Sequence, residues 1–554
     1  MSGSDTIEQL IGEFKDRTLK YIRIRRNVYM LEVKKEDLPS ILDYAYNKLN
    51  GQLMTMVGTD FRNQADCFLL DYVLGWHEKG IVVVFRSKVP RRDENFPSIT
   101  PYVACADWYE REVKDFLGLT PVGHPHLTKL LLPDDWPEKS YPLRRDYRYD
   151  LRPPFTEKED YPFNVPDKKV SIIPYGPYHF AMDEPMHFRF FVDGERIVDA
   201  DFRGGFNYRG VEKIAETKLD YGKITYIAER ICGICGFAHS ECFVQALEGA
   251  AETDIPERAK WIRTILLEIE RVHSHLLWLG VASHLVGFNS GFMQFWRVRE
   301  KIMLLAEMLT GNRKTYGMIT LGGVRRDISE GKRKESLRLI AEVRKEYKEL
   351  LEAVMNQQTF IRRLKGVGLL SNKDARRYSV VGPVARGSGV SIDVRRDYPY
   401  EAYEHFDFEV PVISEGDILA RTIVRAREVL EALSIIEQAL TSIPNGPVLA
   451  YLDHIPAEKT GIGLIEAPRG TNVHFLMTGK ENTVYRWRVR APTYANLQVA
   501  RIMLMGHTLA DAPVIIGSID PCISCMERFT VVDVNNGKVA LISRESLLGK
   551  VAKK

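Results

Sequence analysis

Two stretches decide how this chain must fold: Arg230-Ile-Cys-Gly-Ile-Cys-Gly-Phe-Ala-His239 and Asp520-Pro-Cys-Ile-Ser-Cys-Met-Glu-Arg528. Each places two cysteines three positions apart, so both sulfurs can turn to one centre without backbone strain. Four thiolates make a soft donor set. They ligate only when deprotonated, a state that the charge of a metal favours. A zinc ribbon closes its two pairs over roughly 15–20 residues. Here the pairs lie in distant parts of the chain, so a whole domain has to bring them together. Spacing alone leaves structural zinc, a redox metal and a thiol–disulfide pair open. Gly233 and Gly236 let the backbone approach closely, and His239, four residues past Cys235, is placed to donate a hydrogen bond to a ligating sulfur. These neighbours suit a reactive centre. Cys67, Cys105 and Cys242 have no such pairing and read as small buried apolar residues.

The 554 residues exceed what one hydrophobic core serves, and predict two or three units. Apolar residues make up 45% and charged residues 27%, which excludes a disordered or collagenous chain. Basic residues number 77 against 74 acidic, so no basic field points to a nucleic-acid partner. Seven cysteines are too few for a disulfide scaffold. The most apolar long segment, Ile262–Phe288, is interrupted by Glu268, Glu270, Arg271, His273 and His275 and does not read as a membrane span. The start, Met-Ser-Gly-Ser-Asp, lacks the pattern of a signal peptide. The expectation is a soluble protein of a reducing compartment, with any membrane association supplied by a partner.

The pattern predicts an α+β fold. Val28–Val33 and Ile81–Phe85 read as strands, Lys35–Leu49 as a helix with Leu38, Ile41, Leu42, Tyr46 and Leu49 on one side, and Asp107–Leu117 as a charged helix. Tyr141–Lys169, with five prolines, reads as an extended linker. Phe188–Val192 and Arg196–Ala200 flank Asp193-Gly194 as a hairpin. The remainder reads as mainly helical, with an apolar stripe from Ile262 to Leu279 and long helical patterns over Lys332–Asn356 and Leu419–Ile443. The charges of Lys332–Lys348 read as a solvated face. The expected division is 1–140, the linker 141–169, a catalytic domain over 170–528, and an extension over 529–554.

The two cysteine motifs resemble the signature motifs of the [NiFe]-hydrogenase large subunit, and Gly461-Ile-Gly-Leu-Ile-Glu-Ala-Pro-Arg-Gly470 resembles that family's third motif. Pro97–Pro101, Asp107–Glu112 and Leu131–Trp136 resemble the 30 kDa subunit of respiratory complex I. Gly176-Pro-Tyr-His179 and the hairpin after it resemble the start of its 49 kDa subunit. The chain is therefore similar to a complex I-related hydrogenase large subunit of the formate hydrogenlyase type, with the two complex I parts fused.

The resemblance implies a Ni–Fe centre, nickel plus an iron carrying CO and two cyanides. Cys232 and Cys522 would hold nickel terminally, and Cys235 and Cys525 would bridge to the iron. It implies that Arg469 stands over the metals in an electrostatic role, with a second reading as a base, and that Asp520 holds it. Glu184 would be the first proton relay, with Asp183 as competitor because Glu184 stands three residues, not two, before His187. Pro468 and Ser518 would contact the cyanides or serve only packing. No iron–sulfur cluster is expected within the chain, so electrons would come from a small [4Fe–4S] subunit like the 20 kDa subunit of complex I and a ferredoxin-like subunit beyond it. Integral membrane subunits, formate dehydrogenase or another donor, and a maturation protease complete the implied partners. That protease would cut after Arg528, removing a segment in which Phe529–Val534 and Val539–Ser543 read as a hairpin. Localisation would be cytoplasmic, peripheral on the membrane.

Competing readings are a complex I-type oxidoreductase subunit linked to NADH, quinone or sulfur with vestigial cysteines, and a zinc-stabilised assembly scaffold. Glu270-x-x-His273 matches half of a di-iron carboxylate site and Glu184-x-x-His187 is nominally its second half. Pro185 and the adjacent hairpin argue against that site, leaving His273 and His275 as packing or interface histidines.

Overall fold

The computed structural model describes residues 9–133, 136–148, 169–179, 184–204, 209–452 and 455–525, with Lys218 and Cys525 described by backbone alone. Most of the linker, Asp183 and the extension after Cys525 lie outside the described residues.

Five strands build the N-terminal sheet: β1 (Thr18–Arg25), β2 (Val28–Val33), β3 (Gln52–Asp60), β4 (Cys67–Trp76) and β5 (Ile81–Pro90). Their order is β1-β2-β5-β4-β3, with only β2 and β5 parallel. The sequence pattern marks β2 and β5 but not β3 or β4. All ten residues of β4 and eight of nine in β3 are buried, so there is no polar face to produce a period-two signal. The helix expected over Lys35–Leu49 breaks into a 3-10 turn at Lys35–Asp37, an α-helix at Leu38–Asp43 and a wide π-type turn at Tyr44–Lys48. The wide turn presents Tyr46, whose hydroxyl donates to the carbonyls of Arg376 and Arg377 in the C-terminal part, both at 2.9 Å.

The helix Asp107–Leu117 forms as predicted, yet its charges face inward. Glu110, Arg111, Glu112 and Asp115 are all buried. Asp115 accepts the backbone N–H groups of Leu130, Leu131 and Leu132 at 2.9, 2.8 and 3.2 Å. Glu110 accepts from Ser98 Oγ at 2.6 Å, Ile99 N at 2.8 Å and Thr100 Oγ1 at 2.7 Å. These carboxylates close loops that have no ladder of their own. β6 (Asn95–Pro97) and β7 (Thr120–Val122) run parallel beside them.

The C-terminal part opens with a three-stranded sheet, β8 (Ser171–Tyr175), β9 (His187–Asp193) and β10 (Arg196–Arg203), in the order β10-β9-β8. β9 and β10 are the predicted hairpin. Long helices follow at Gly236–Ala251, Glu257–Leu285, Asn289–Thr310, Glu330–Met355 and Ile418–Ser442, with β11 (Ile319–Thr320) and β12 (Gly323–Val324) as a short pair between them. The outer face of Glu330–Met355 carries exposed ion pairs three and four residues apart, such as Arg338–Glu335 and Arg338–Glu342.

The expectation of a mainly helical remainder misses a second sheet, the antiparallel meander β13 (Thr460–Ala467), β14 (Gly470–Thr478) and β15 (Val484–Arg490). It lies directly on the Gly236–Ala251 helix. A Cβ on Gly461 or Gly463 would overlap the carbonyl oxygen of Ala246 or Cys242. Glycine is what permits that approach.

β15 also joins the two parts of the chain. Its alternate residues Arg486, Arg488 and Arg490 share one face and are buried. Arg486 Nε donates to Gly58 O at 2.8 Å and Arg490 Nε to Met54 O at 2.6 Å. Both acceptors lie on β3, an edge strand whose outward carbonyls need partners. Arg488 grips Glu112 with two bonds of 2.6 and 2.9 Å. Replacing Arg488 by Met leaves Glu112 and part of Glu212 as uncompensated buried charge. The expected loss is about 3–5 kcal/mol in urea unfolding of the full chain, with partial recovery in the double variant Glu112→Gln, Arg488→Met. A single-variant loss below about 1 kcal/mol would show that the pair does not join the parts.

Candidate metal centre

The first cysteine pair sits in the turn between the helices Tyr221–Glu229 and Gly236–Ala251. The backbone N–H groups of Ile234 and Cys235 point at Cys232 Sγ from 3.3 and 3.2 Å. Such donors stabilise a sulfur that carries negative charge. The helix Glu257–Leu285 holds the turn in place. Glu270 accepts the N–H groups of Phe237 and Ala238 at 2.8 and 2.9 Å, capping the start of the next helix. His273 Nε2 meets Ile234 O at 3.0 Å, and Tyr316 donates its hydroxyl proton to Cys232 O at 2.8 Å. The Glu-x-x-His pattern thus grips the backbone of the cysteine turn, while His187 begins strand β9. His275 pairs with Glu428 at 2.8 Å.

The second pair arrives from the far end of the domain. Cys522 Sγ stands 3.3 Å from Cys232 Sγ, both buried and neither in a disulfide. The approach to Cys522 is fixed by groups that the sequence analysis does not single out. Trp278 Nε1 donates to Gly517 O at 2.8 Å, Arg425 to Ser518 O at 3.0 Å, and Thr493 Oγ1 accepts from Cys522 N at 3.1 Å. Their signal in the sequence is faint: Arg421, Arg425 and Glu428 are charged residues on the buried, largely apolar face of the helix Ile418–Ser442. The Ser518 hydroxyl donates to Ile515 O at 2.7 Å and accepts from Arg421 at 3.1 Å.

Arg469 reaches this loop from the turn between β13 and β14. Its Nε donates to Asp520 O at 2.8 Å and its Nη2 to Asp520 Oδ1 at 2.6 Å. The turn, which includes the buried Pro468, packs backbone to backbone against residue 382. A Cβ on Gly382 would overlap Arg469 O, and Gly470 has φ 123°, so both positions require glycine. Burial opposes the Arg469 charge, but Asp520, Cys522, Cys235 and Cys232 outweigh it and hold the guanidinium pKa well above its ordinary value. Arg469 therefore stays cationic in the field of three thiols.

Glu184 reaches the same loop. Its Oε2 accepts Ser524 N at 2.9 Å and its Oε1 the Ser524 hydroxyl. Burial pushes its pKa up, the two bonds from Ser524 and the Arg469 charge pull it down, and Cys232 pushes it up again, for a net rise. His239 is fully buried, and desolvation drives its pKa down to about 4. Trp487 Nε1–H donates to His474 Nδ1 at 3.3 Å. Neutral His474 then carries its proton on Nε2 and donates to His239 Nδ1 at 3.2 Å, which Asn472 Nδ2 also approaches at 3.2 Å. That order places the proton of His239 on Nε2.

Soft sulfurs meeting 3.3 Å apart, one cradled by backbone N–H groups and facing a fixed cation, suit a metal that prefers thiolate over one that prefers oxygen. No group of three or more His, Cys, Asp or Glu with metal-holding geometry occurs among the described residues. Two sulfurs of the expected four are in contact there, and the Cys525 side chain lies outside the described residues.

Residues 286–461 and 453–528 match the family described as the 49 Kd subunit of respiratory-chain NADH dehydrogenase, residues 31–153 its 30 Kd subunit, and residues 209–285 the nickel-dependent hydrogenases. Formate hydrogenlyase subunit 5 of Escherichia coli is 45% identical over 525 residues, 93% of this chain and 91% of the relative. The chain belongs to the complex I-related [NiFe]-hydrogenase large subunits. Hydrogenase-4 component G of Escherichia coli is 44% identical over 537 residues, covering 96% and 94% of the two chains. A subunit of the NADH-quinone oxidoreductase of Methylococcus capsulatus is more distant, 30% identical over 84% of this chain and 86% of the relative. Among solved structures, a chain of an archaeal membrane-bound sulfane sulfur reductase superposes with a TM-score of 0.62 at 32% identity, over 66% of this chain and all of that one. In this hydrogenase subunit the arginines of β15, in the part matching the 49 Kd family, reach β3, in the part matching the 30 Kd family.

In metal-free protein, burial pushes the Glu270 pKa up to about 8 from 4.5. Below pH 4.5 folded and unfolded chains are both protonated at this site. As pH rises toward about 8 only the unfolded chain ionises, so folding loses stability across that window and no further above it. Urea midpoints of the metal-free full chain are expected to fall between pH 5 and 8 by more in the wild type than in Glu270→Gln. Parallel curves would contradict a neutral buried carboxyl at this position.

Proposed function

We propose that this protein is the catalytic subunit of a membrane-associated, formate hydrogenlyase-type hydrogenase that reduces protons to H2. Cys232, Cys235, Cys522 and Cys525 would hold the Ni–Fe centre. The observation that carries the reading is the 3.3 Å approach of Cys232 and Cys522 beneath the Arg469–Asp520 pair. When bound, the centre supplies the redox and dihydrogen chemistry. The protein's own residues then have separable tasks.

Arg469 contributes a fixed positive charge in a pocket from which water is excluded, where it acts more strongly than at a surface. Asp520 holds that charge in one orientation by accepting two bonds from Arg469, one at its carbonyl and one at its carboxylate. Glu184, with its pKa raised by burial, holds and passes a proton at its carboxyl oxygens beside the second cysteine loop. Asp183 remains its alternative. His239, with its proton on Nε2, is a hydrogen-bond donor for a sulfur, and Pro468 and Ser518 would line the cyanide side.

Electrons would enter from a small [4Fe–4S] subunit and a ferredoxin-like subunit. No iron–sulfur cluster is expected within this chain, because its four paired cysteines are assigned to the Ni–Fe centre. No described helix is long and apolar enough to cross a membrane. Attachment on the cytoplasmic side would therefore run through integral membrane partners, with formate dehydrogenase or another donor upstream. The domain division 1–140, 141–169, 170–528 and 529–554 and the removal of the last segment by a maturation protease belong to the same proposal. A second reading, a complex I-type subunit serving NADH, quinone or sulfur, is favoured by the more distant NADH-quinone oxidoreductase relatives and the sulfur reductase fold.

Elemental analysis with infrared spectroscopy of the tail-cleaved protein separates the readings. The expected result is one nickel per chain with metal-bound CO and cyanide stretches. One zinc without those stretches, or no metal, would refute the hydrogenase reading. Arg469→Lys is expected to keep nickel while lowering H2-dependent dye reduction by roughly 10²–10³-fold.

A further inference from the structure

Arg209 touches both cysteine loops from outside the pocket. Its Nη1 donates to Arg230 O at 2.9 Å, and its Nη2 donates to Ile231 O at 2.7 Å and Ser524 O at 2.8 Å. The first two acceptors follow the last turn of the helix Tyr221–Glu229, where carbonyls lack intrahelical donors and the helix end is electronegative. The third lies between Cys522 and Cys525. Glu184 holds the same Ser524 by its N–H and its hydroxyl. One residue of the second loop is thus gripped on its donor groups by a carboxylate and on its acceptor by a guanidinium. The Arg209 backbone is set by Gly210, which starts the helix Val211–Lys218 at φ 68°. A planar guanidinium with five donors spans three carbonyls; an ammonium does not.

We propose that Arg209 is a positioning residue that locks the C-terminal cysteine loop onto the N-terminal one and thereby fixes where Glu184 stands relative to the sulfurs. Arg469 and Asp520 tie the loop from inside the pocket, and Arg209 ties it from the solvent side. The inference rests on the metal-centre reading above. Its consequence is specific: loss of Arg209 leaves all four ligands and Glu184 present but shifts one loop against the other. Displacements of that kind carry large rate penalties without loss of any reacting group.

The test uses the intact hydrogenase complex carrying the wild-type chain, Arg209→Lys or Arg209→Gln. Nickel content, CO and cyanide stretches, and H2-dependent dye reduction across pH are measured on each. Expected are wild-type nickel, displaced or broadened stretches in Arg209→Gln, and activity lower by roughly ten- to hundredfold, with Arg209→Lys recovering only part. Wild-type stretches together with wild-type turnover in Arg209→Gln overturn the proposal while leaving the metal-centre reading intact. Absence of the stretches in the wild type overturns that reading itself. Should Arg209→Gln fail to load nickel, hydrogen exchange of the 522–525 amides in metal-free full-length chain decides. Faster exchange than wild type supports the lock, and equal exchange refutes it.

Discussion

Two sulfurs from opposite ends of a domain, held 3.3 Å apart without a bond between them, form the constraint to which the rest of the structure answers. Thiols that close in a buried site cannot both ionise unless positive charge is supplied. The fold brings Arg469 to the site on a turn that only glycines at 382 and 470 permit, and fixes it to the backbone and carboxylate of Asp520. The backbone N–H groups at 234 and 235 add further positive potential at Cys232. A bound metal would add to this field, so the protein supplies a pocket already prepared for negative sulfur.

Fixing Arg469 in turn requires a scaffold that does not yield. Beneath its turn lies a dry cluster in which Arg386 pairs with Glu428 and Glu466, Arg395 with Asp393 and Glu268, and Arg271 with Glu268, all essentially without solvent access. Arg271 also donates to Glu466 O at 2.6 Å, two residues before Pro468. Three arginines face four carboxylates. Burial and the nearby Asp393 raise the Glu466 pKa, while Arg386, Arg271 and Arg395 pull it down. Such clusters add little net stability, because desolvation offsets the Coulombic gain. Every lone pair and N–H that finds a partner nevertheless fixes a direction. Here those directions converge on the turn that carries Arg469.

The legible parts of the sequence are those where one kind of residue has one physical use. The cysteine pairs, the third motif, the helix Asp107–Leu117 and the Asp193-Gly194 hairpin are of this kind. What escapes is of two sorts. Strands β3, β4, β13 and β14 are buried on both faces, so burial imposes no regular alternation on their residues, and the alternating arginines of β15 are buried instead of solvated. Arg209, Arg425, Trp278 and Glu270 act on backbone carbonyls and N–H groups, which have no identity in the sequence. Glu270 shows the difficulty best. Its spacing to His273 resembles half a metal site, whereas its partners are two amides at the start of a helix. Charge in sequence also leaves direction open: Glu110, Arg111, Glu112 and Asp115 mark a charged helix and are all buried, with Glu112 held by Arg488 of the other part.

That contact explains what a fused N-terminal part contributes. Its edge strand β3 offers carbonyls that would otherwise need water or a second chain. Three arginines of β15 provide the donors and the counter-charge to Glu112. Arg490 is the link that matters for the centre. It holds Met54 O with Nε and Thr471 O with Nη1, each at 2.6 Å, and Thr471 stands two residues after Arg469. Asn496 adds a bond to Arg469 O at 3.3 Å while accepting Val381 N at 2.9 Å. The N-terminal part has no ligating residue at the pocket, yet its edge strand shares an arginine with the strand that follows the Arg469 turn. The N-terminal part is thereby tied to the strand that carries the Arg469 turn. Movement at β3 would reach the metal pocket through a single side chain rather than through the length of the fold.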